Sequence, residues 1–215
     1  MVTLVRCSGC AVPLTQRVAP EGCLYHPAML VQHVQQKWID RADLTYQCAD
    51  ALGEPVAAAV AAVLATVTNG GKVLACGAGN GALLAQLFVS HFMGQFERER
   101  PALPAVVVAL ADVPRQLGAL ASADDLLLLV GECGTAPDLL AAVAAAHERD
   151  VPVLALTGAG GGALGRALRD TDVHVCVPHT RPVRINELHH VVLNCVCDGV
   201  DIQLLGDTPE TENLT

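Results

Sequence analysis

Residues 72–92, KVLACGAGNGALLAQLFVSHF, constrain the fold more tightly than any other stretch. The apolar run 73–76 ends in Gly77-Ala78-Gly79-Asn80-Gly81, and an apolar-periodic segment of helix-forming residues follows at once. That order reads as strand, glycine turn, helix. Glycines at 77, 79 and 81 allow positive φ and close approach of a ligand to the main chain. The free N–H groups opening the next helix, with its dipole, favour an anion there. The stretch predicts a phosphate or sugar-phosphate site at the end of a parallel strand, although a tight structural turn without ligand would look the same. It is not a Walker A loop, since no Gly-Lys-Ser/Thr follows, and it departs from G-x-G-x-x-G after Gly79.

The pattern recurs downstream. Residues 105–110, 125–130, 151–157 and 173–177 are further apolar strand-like runs. Gly131-Glu132-Cys133-Gly134-Thr135 is a second strand-end glycine loop, with Thr135 and Asp138 as start signals for a helix to Arg149. Short helices are expected over 113–121 and near 163–168, and a final helix over 183–204. Near-continuous apolar strands need cover on both faces. The fold class is therefore α/β, a doubly wound five-stranded parallel sheet. Both glycine loops fall at its carboxyl edge, where such folds bind ligands. Upstream, residues 29–69 read as two helices broken at Gly53-Glu54-Pro55. The second is apolar nearly all round over 56–67, which calls for burial on more than one side. A second subunit supplies that burial, so these N-terminal helices predict a homo-oligomer.

The chain divides into an N-terminal extension (1–28), one domain (29–203) and a loose acidic tail (204–215). A net charge of −9 argues against direct nucleic-acid binding, which needs a basic footprint. The longest apolar candidate, 56–67, falls short of the roughly 18 residues a membrane span needs, so no membrane segment is expected. Arg6 interrupts the N-terminal apolar stretch, which lacks a signal-peptide design, so a cytoplasmic location is expected. Cys76, Cys176, Cys195 and Cys197 lie in apolar runs and read as buried reduced thiols. Cys7-x2-Cys10, followed after twelve residues by Cys23-x2-His26, has zinc-ribbon-like spacing. The competing reading is a disordered extension, or a misassigned start ahead of Met29, and the expectation is no metal and no cofactor.

Several blocks in order resemble the SIS (sugar isomerase) domain family. They are 72–77 (KVLACG), 95–101 (QFERERP), 103–105 (LPA), 156–158 (LTG) and 184–189 (RINELH). Within that family the branch of phosphoheptose isomerases and the DnaA initiator-associating protein is the most similar, over roughly residues 29–203. The resemblance implies a five-stranded SIS fold and a homotetramer built on the N-terminal helices. It also implies ligand positions at Gly77, Ala78, Gly79, Asn80, Gly81, Gly131, Glu132, Cys133, Gly134, Thr135, Asn186 and Asn194. At the position of the isomerases' acid–base glutamate this chain has His91. At that of their catalytic histidine it has Asn194, and 194–198 (NCVCD) looks like the initiator-associating protein. The positions that hold zinc in some isomerases are Leu87, His91, Asn186 and Asn194 here, a poor donor set. Glu132 brings a carboxylate to a loop that in the family receives a phosphate dianion, and the connection after the second strand is shorter.

Aldose–ketose isomerisation moves a proton between adjacent carbons and needs a positioned base and acid. Asn194 cannot titrate. His91, His189 and Glu187 are the candidates for an isomerase, but each has a bland role available. His91 has apolar helical neighbours, Glu187 is three residues from Arg184, as an ordinary ion pair would be, and His189 and His190 point to different faces. The reading preferred from the sequence is a non-catalytic tetrameric scaffold that binds DnaA and promotes its assembly at the replication origin, and so not an enzyme. The alternatives are a divergent phosphoheptose isomerase acting on sedoheptulose 7-phosphate, or a module that binds a sugar phosphate without chemistry.

Overall fold

The computed structural model describes residues 27–206. The Cys7, Cys10, Cys23 and His26 set, most of the N-terminal extension and most of the acidic tail lie outside the described residues. The chain divides into two compact units, Met1–Asp43 and Leu44–Thr215. Of the first, the described part is helical. It opens the long helix α1 (Pro27–Thr68), which continues into the second unit.

The second unit holds the sheet. Five strands, β1 (Val73–Gly77), β2 (Ala105–Val107), β3 (Leu126–Val130), β4 (Val153–Gly158) and β5 (Val173–Val177), pair in the order β2-β1-β3-β4-β5. Every pairing is parallel. The intervening helices are α2 (Gly81–Met93), α3 (Val113–Leu120), α4 (Pro137–His147), α5 (Gly162–Ala167) and α6 (Pro182–Leu205). The doubly wound five-stranded sheet expected from the sequence is thus what forms.

Strands β1, β3 and β4 are buried along their whole length, because side chains alternate between two covered faces. Val73, Ala75, Leu126, Leu128, Val130, Leu154 and Leu156 join the core under α1, α2 and α6. Leu74, Cys76, Leu127, Leu129, Val153 and Ala155 join the core under α3, α4 and α5. Within the second unit, α1 contributes a single stripe of Cys48, Leu52, Ala59 and Val63, at helical spacing.

Helix α1 corrects the expectation of two helices, since it runs unbroken through Pro55. An interior proline removes one hydrogen bond and crowds the preceding turn, at a cost of roughly 3 kcal/mol. The buried stripe on both sides of Pro55 offsets that cost. With the break gone, Met29–Thr68 is long and apolar enough to cross a membrane by length and composition alone, contrary to the estimate from 56–67. Within the chain, Ala59, Val63 and Thr66 are buried while Ala57, Ala58, Ala61 and Ala65 are exposed.

Two further expectations change. Helix α4 starts at Pro137, capped by Ala136 without a side-chain bond, and the Thr135 hydroxyl lies 3.1 Å from Cys133 Sγ instead. Among the cysteines, Cys76 and Cys197 are buried and burial pushes both thiols up to about 12. Cys176 is half-buried and Cys195 is exposed on α6, so neither is a core thiol.

Two charged contacts fix the ends of this layout. Asp125, fully buried ahead of β3, accepts from Lys72 N (2.8 Å), Lys72 Nζ (2.7 Å) and Ser122 N (2.7 Å). Arg100 and Asp201 form a buried pair between the segment after α2 and helix α6. Burial pushes the Asp125 carboxyl upward, but the Lys72 ammonium and the backbone donors outweigh it and hold it below its ordinary 3.8. A depressed carboxyl stabilises the fold above the unfolded value, and that stabilisation is lost as pH falls through the folded value. Asp125→Asn is expected to lose about 1.5–3 kcal/mol at pH 7, with the gap to wild type closing below about pH 4. Urea unfolding at pH 7 and pH 3 measures this, and an equal gap at both would refute it.

Candidate functional site at the carboxyl edge of the sheet

The strand order reverses between β1 and β3. The chain leaves β1 toward β2 on one side and reaches β3 on the other, so the loops after these two strands diverge. Such a switch point is where open α/β sheets admit ligands. Both glycine loops lie there, 77–81 leading into α2 and 131–135 leading toward α4.

The two loops are locked together by backbone contact. Ala78 N donates to Val130 O at 3.0 Å, and a Cβ on Gly81 would strike that same carbonyl. Gly81 is therefore required by space. Gly134 has φ of +61°, and a Cβ there would strike Gly161 O. Gly79, at φ +57°, has open space around it and is required by conformation. Among the described residues, the N–H groups of Cys133, Gly134 and Thr135 donate to no backbone carbonyl. Together they form a small patch of backbone donors that suits an anion.

Glu132 crosses the switch point. Its Oε1 accepts from Asn186 Nδ2 on α6 at 2.6 Å, and weakly from Asn80 Nδ2 at 3.5 Å. A carboxylate offers acceptors only, so the amide nitrogens must face it. The carboxylate is thus engaged by residues of α6 and of the turn into α2. One turn beyond Asn186, His189 is fully buried and donates Nε2–H to Thr157 O at 3.0 Å. Burial pushes its pKa down, opposed by the Thr157 bond and the Glu132 charge, and because Nε2 carries the proton given to Thr157 O, the neutral ring has its lone pair on Nδ1. Neither His189 Nδ1 nor Asn186 Oδ1 has a partner among the described residues. On the far side of β4, the Thr157 hydroxyl meets His174 Nε2 at 2.7 Å.

The structure brings Asn80, Glu132, Asn186 and His189 together with the two glycine loops. His91 and Asn194 stand further along α2 and α6 than these residues. His91 lies ten residues along α2 from Gly81, about 15 Å by helical rise, where its ring packs edge-on against Phe96 at 5.2 Å. Asn194 lies eight residues along α6 from Asn186, about 12 Å away by the same rise. Glu187 pairs with Arg184 at 2.6 Å, the i,i+3 ion pair that the spacing suggested. Among the described residues no three His, Cys, Asp or Glu side chains group as a metal site.

The profile of the SIS domain family matches residues 38–158. The chain belongs to the SIS domain family. Its phosphoheptose isomerase branch is shown by several relatives. The phosphoheptose isomerase of Methylibium petroleiphilum is 47% identical over 194 residues, which cover 83% of this chain and 97% of that protein. That of Bordetella avium is 40% identical over 79% of this chain and 93% of its own length. Among solved structures, phosphoheptose isomerases from Francisella tularensis and Neisseria gonorrhoeae superpose with TM-scores of 0.73 and 0.72. They are 32% and 33% identical, each over 80% of this chain, and 97% and 98% of those chains are covered.

These relatives overturn the preferred sequence reading. The non-catalytic DnaA-binding scaffold rested on two substituted positions, His91 and Asn194, and on a short C-terminal likeness. The likeness over nearly the whole of the Methylibium protein points to the isomerases instead. The lean away from an enzyme falls with it.

Sequence reasoning missed the Glu132–Asn186 bond and the link from His189 through Thr157 to His174. The only trace of the second was the 156–158 block, which carried the family resemblance without a role. Replacing Gly81 by alanine is expected to cost about 1–3 kcal/mol through the clash with Val130 O. An unchanged melting temperature would show that the loops are not locked as described.

Proposed function

We propose that this SIS-domain protein is an isomerase of the phosphoheptose type, interconverting a seven-carbon ketose phosphate, sedoheptulose 7-phosphate, and the matching aldose. The observation that carries the reading is the 47% identity over 97% of the Methylibium phosphoheptose isomerase. The site geometry agrees with it. The free N–H groups of 133–135 receive the phosphate, with the Thr135 hydroxyl beside them. Glu132, held by Asn186 and Asn80, faces the sugar end. This division keeps the Glu132 charge apart from the phosphate, the conflict that the sequence alone raised. Aldose–ketose isomerisation is redox-neutral and proceeds by proton transfers, so it requires no redox cofactor.

A coupled assay with sedoheptulose 7-phosphate tests the reading. Wild type is expected to turn over, and Thr135→Val to raise KM several-fold with kcat nearly unchanged, the signature of lost uniform binding. Wild-type binding of the sugar phosphate without turnover would contradict the reading and leave a binding module.

The assembly proposed is a cytoplasmic homotetramer. Leu30, Val31, Val34, Trp38 and Ile39 on the first part of α1 are all exposed, with Trp38 at 72%. An apolar helix surface of this extent asks for a partner, and a second copy of the same helix offers one by symmetry. Trp38→Asp is expected to reduce the mass in solution, measured by light scattering after gel filtration. An unchanged tetramer would remove α1 from the interface, and a wild-type monomer would remove the assembly.

A further inference from the structure

We infer that His174, on β5 and outside both glycine loops at the switch point, is a positioning residue that holds the donors of 133–135 in the geometry that receives the phosphate. The inference rests on the proposed use of that loop and adds the residue that sets it. The three free N–H groups are aimed by their own peptide planes. These peptides are trans, so each carbonyl and the N–H of the next residue point in opposite directions. Glu132 O accepts from Gly158 N at 3.1 Å, and Gly134 O accepts from Leu164 N at 2.8 Å. Between them, Cys133 O lies against Gly162, where a Cβ would strike it. All three carbonyls therefore face the connection from β4 to α5, and the N–H groups of Cys133, Gly134 and Thr135 face away from it.

That connection is weak by itself. Gly160, Gly161 and Gly162 take φ of +77°, +80° and +58°, and α5 is six residues long with no side-chain bond at its cap. So short a helix keeps its place only through its packing. His174 supplies that packing. A Cβ on Gly161 would meet His174 Cε1 at 2.6 Å, and one on Gly165 would meet the same atom at 2.8 Å. The ring is thus seated on the strip that glycines four apart leave bare. Its Nε2 lies 2.7 Å from the hydroxyl of Thr157, a fully buried residue of β4. Burial lowers the His174 pKa below its ordinary 6.5, so at neutral pH the ring supplies shape and this hydrogen bond rather than charge.

The contacts run from Thr157 to His174, from His174 to Gly161 and Gly165, and from Gly161 to the loop. Gly134 packs on Gly161 O, so the residue that carries the ring also carries the middle of the donor patch. Without the ring, the glycine run gains room beside Gly161, and the carbonyls that aim the three donors lose their fixed support. His174 does this without touching the ligand, by locking the elements that the binding groups stand on. The loss then falls on phosphate binding and leaves the proton transfers alone.

The experiment measures binding of inorganic phosphate to the full chain by calorimetry, together with KM and kcat for sedoheptulose 7-phosphate. It uses wild type, His174→Ala, His174→Gln and Thr157→Val, each checked by thermal melting. His174→Ala is expected to raise the phosphate Kd and the KM about 10-fold, with kcat within about two-fold of wild type. His174→Gln, which keeps a polar side chain directed at Thr157, should recover most of that loss. Thr157→Val keeps the shape and removes the hydroxyl, and should raise both constants a few-fold. Phosphate affinity and KM equal to wild type in a folded His174→Ala would overturn the inference, whatever its melting temperature, and so would a fall in kcat at unchanged KM. Should His174→Ala not fold, Thr157→Val decides, and a phosphate Kd equal to wild type there would overturn it. A wild type that binds phosphate through His174 but never turns over the sugar phosphate would remove the isomerase reading and leave the role of His174. A wild type with no affinity for phosphate would overturn the inference.

Discussion

The contact between Gly81 and the Val130 carbonyl is the constraint on which the rest of the site depends. It brings the end of β1 and the end of β3 within backbone distance at the point where the strand order reverses. Helix α2 can begin there only because position 81 has no side chain. From that contact α2 departs over one face of the sheet, and the chain after β3 departs over the other. The two faces then differ in chemistry. One carries α1, α2 and α6 with Asn80 and Asn186, and the other carries α3, α4 and α5. A ligand with an anionic end and a polyhydroxyl end matches such an edge.

The electrostatics follow from this split. A carboxylate on a phosphate-binding loop would cost several kcal/mol if the charges met in a dry site. The structure turns Glu132 to the amides of Asn186 and Asn80, which satisfy one oxygen and leave the other. Buried charges elsewhere are likewise paired. Asp125 has three donors, and Arg100 lies between Asp201, backbone carbonyls and the Phe92 ring.

Much of the fold was legible in the sequence because the strands are near-continuous apolar runs that end in glycine. That pattern has few structural solutions, and the five strands and their helices appear where it put them. The errors have particular causes. Pro55 looks like a break locally, but the stripe of Cys48, Leu52, Ala59 and Val63 holds the helix together across it. Thr135 looks like a cap, but Pro137 and Ala136 set the start of α4 without it. Within the site, the glycine loops were readable as loops. The bond from Glu132 to Asn186 spans 54 positions, and no local spacing announces it. The preferred function failed for a related reason, because two substituted positions were given more weight than the likeness of the whole domain.

The most direct measurement is a crystal structure of the tetramer or smaller assembly grown with sedoheptulose 7-phosphate. The account predicts the phosphate on the N–H groups of residues 133–135, between the two glycine loops. A phosphate seated away from both glycine loops would contradict it.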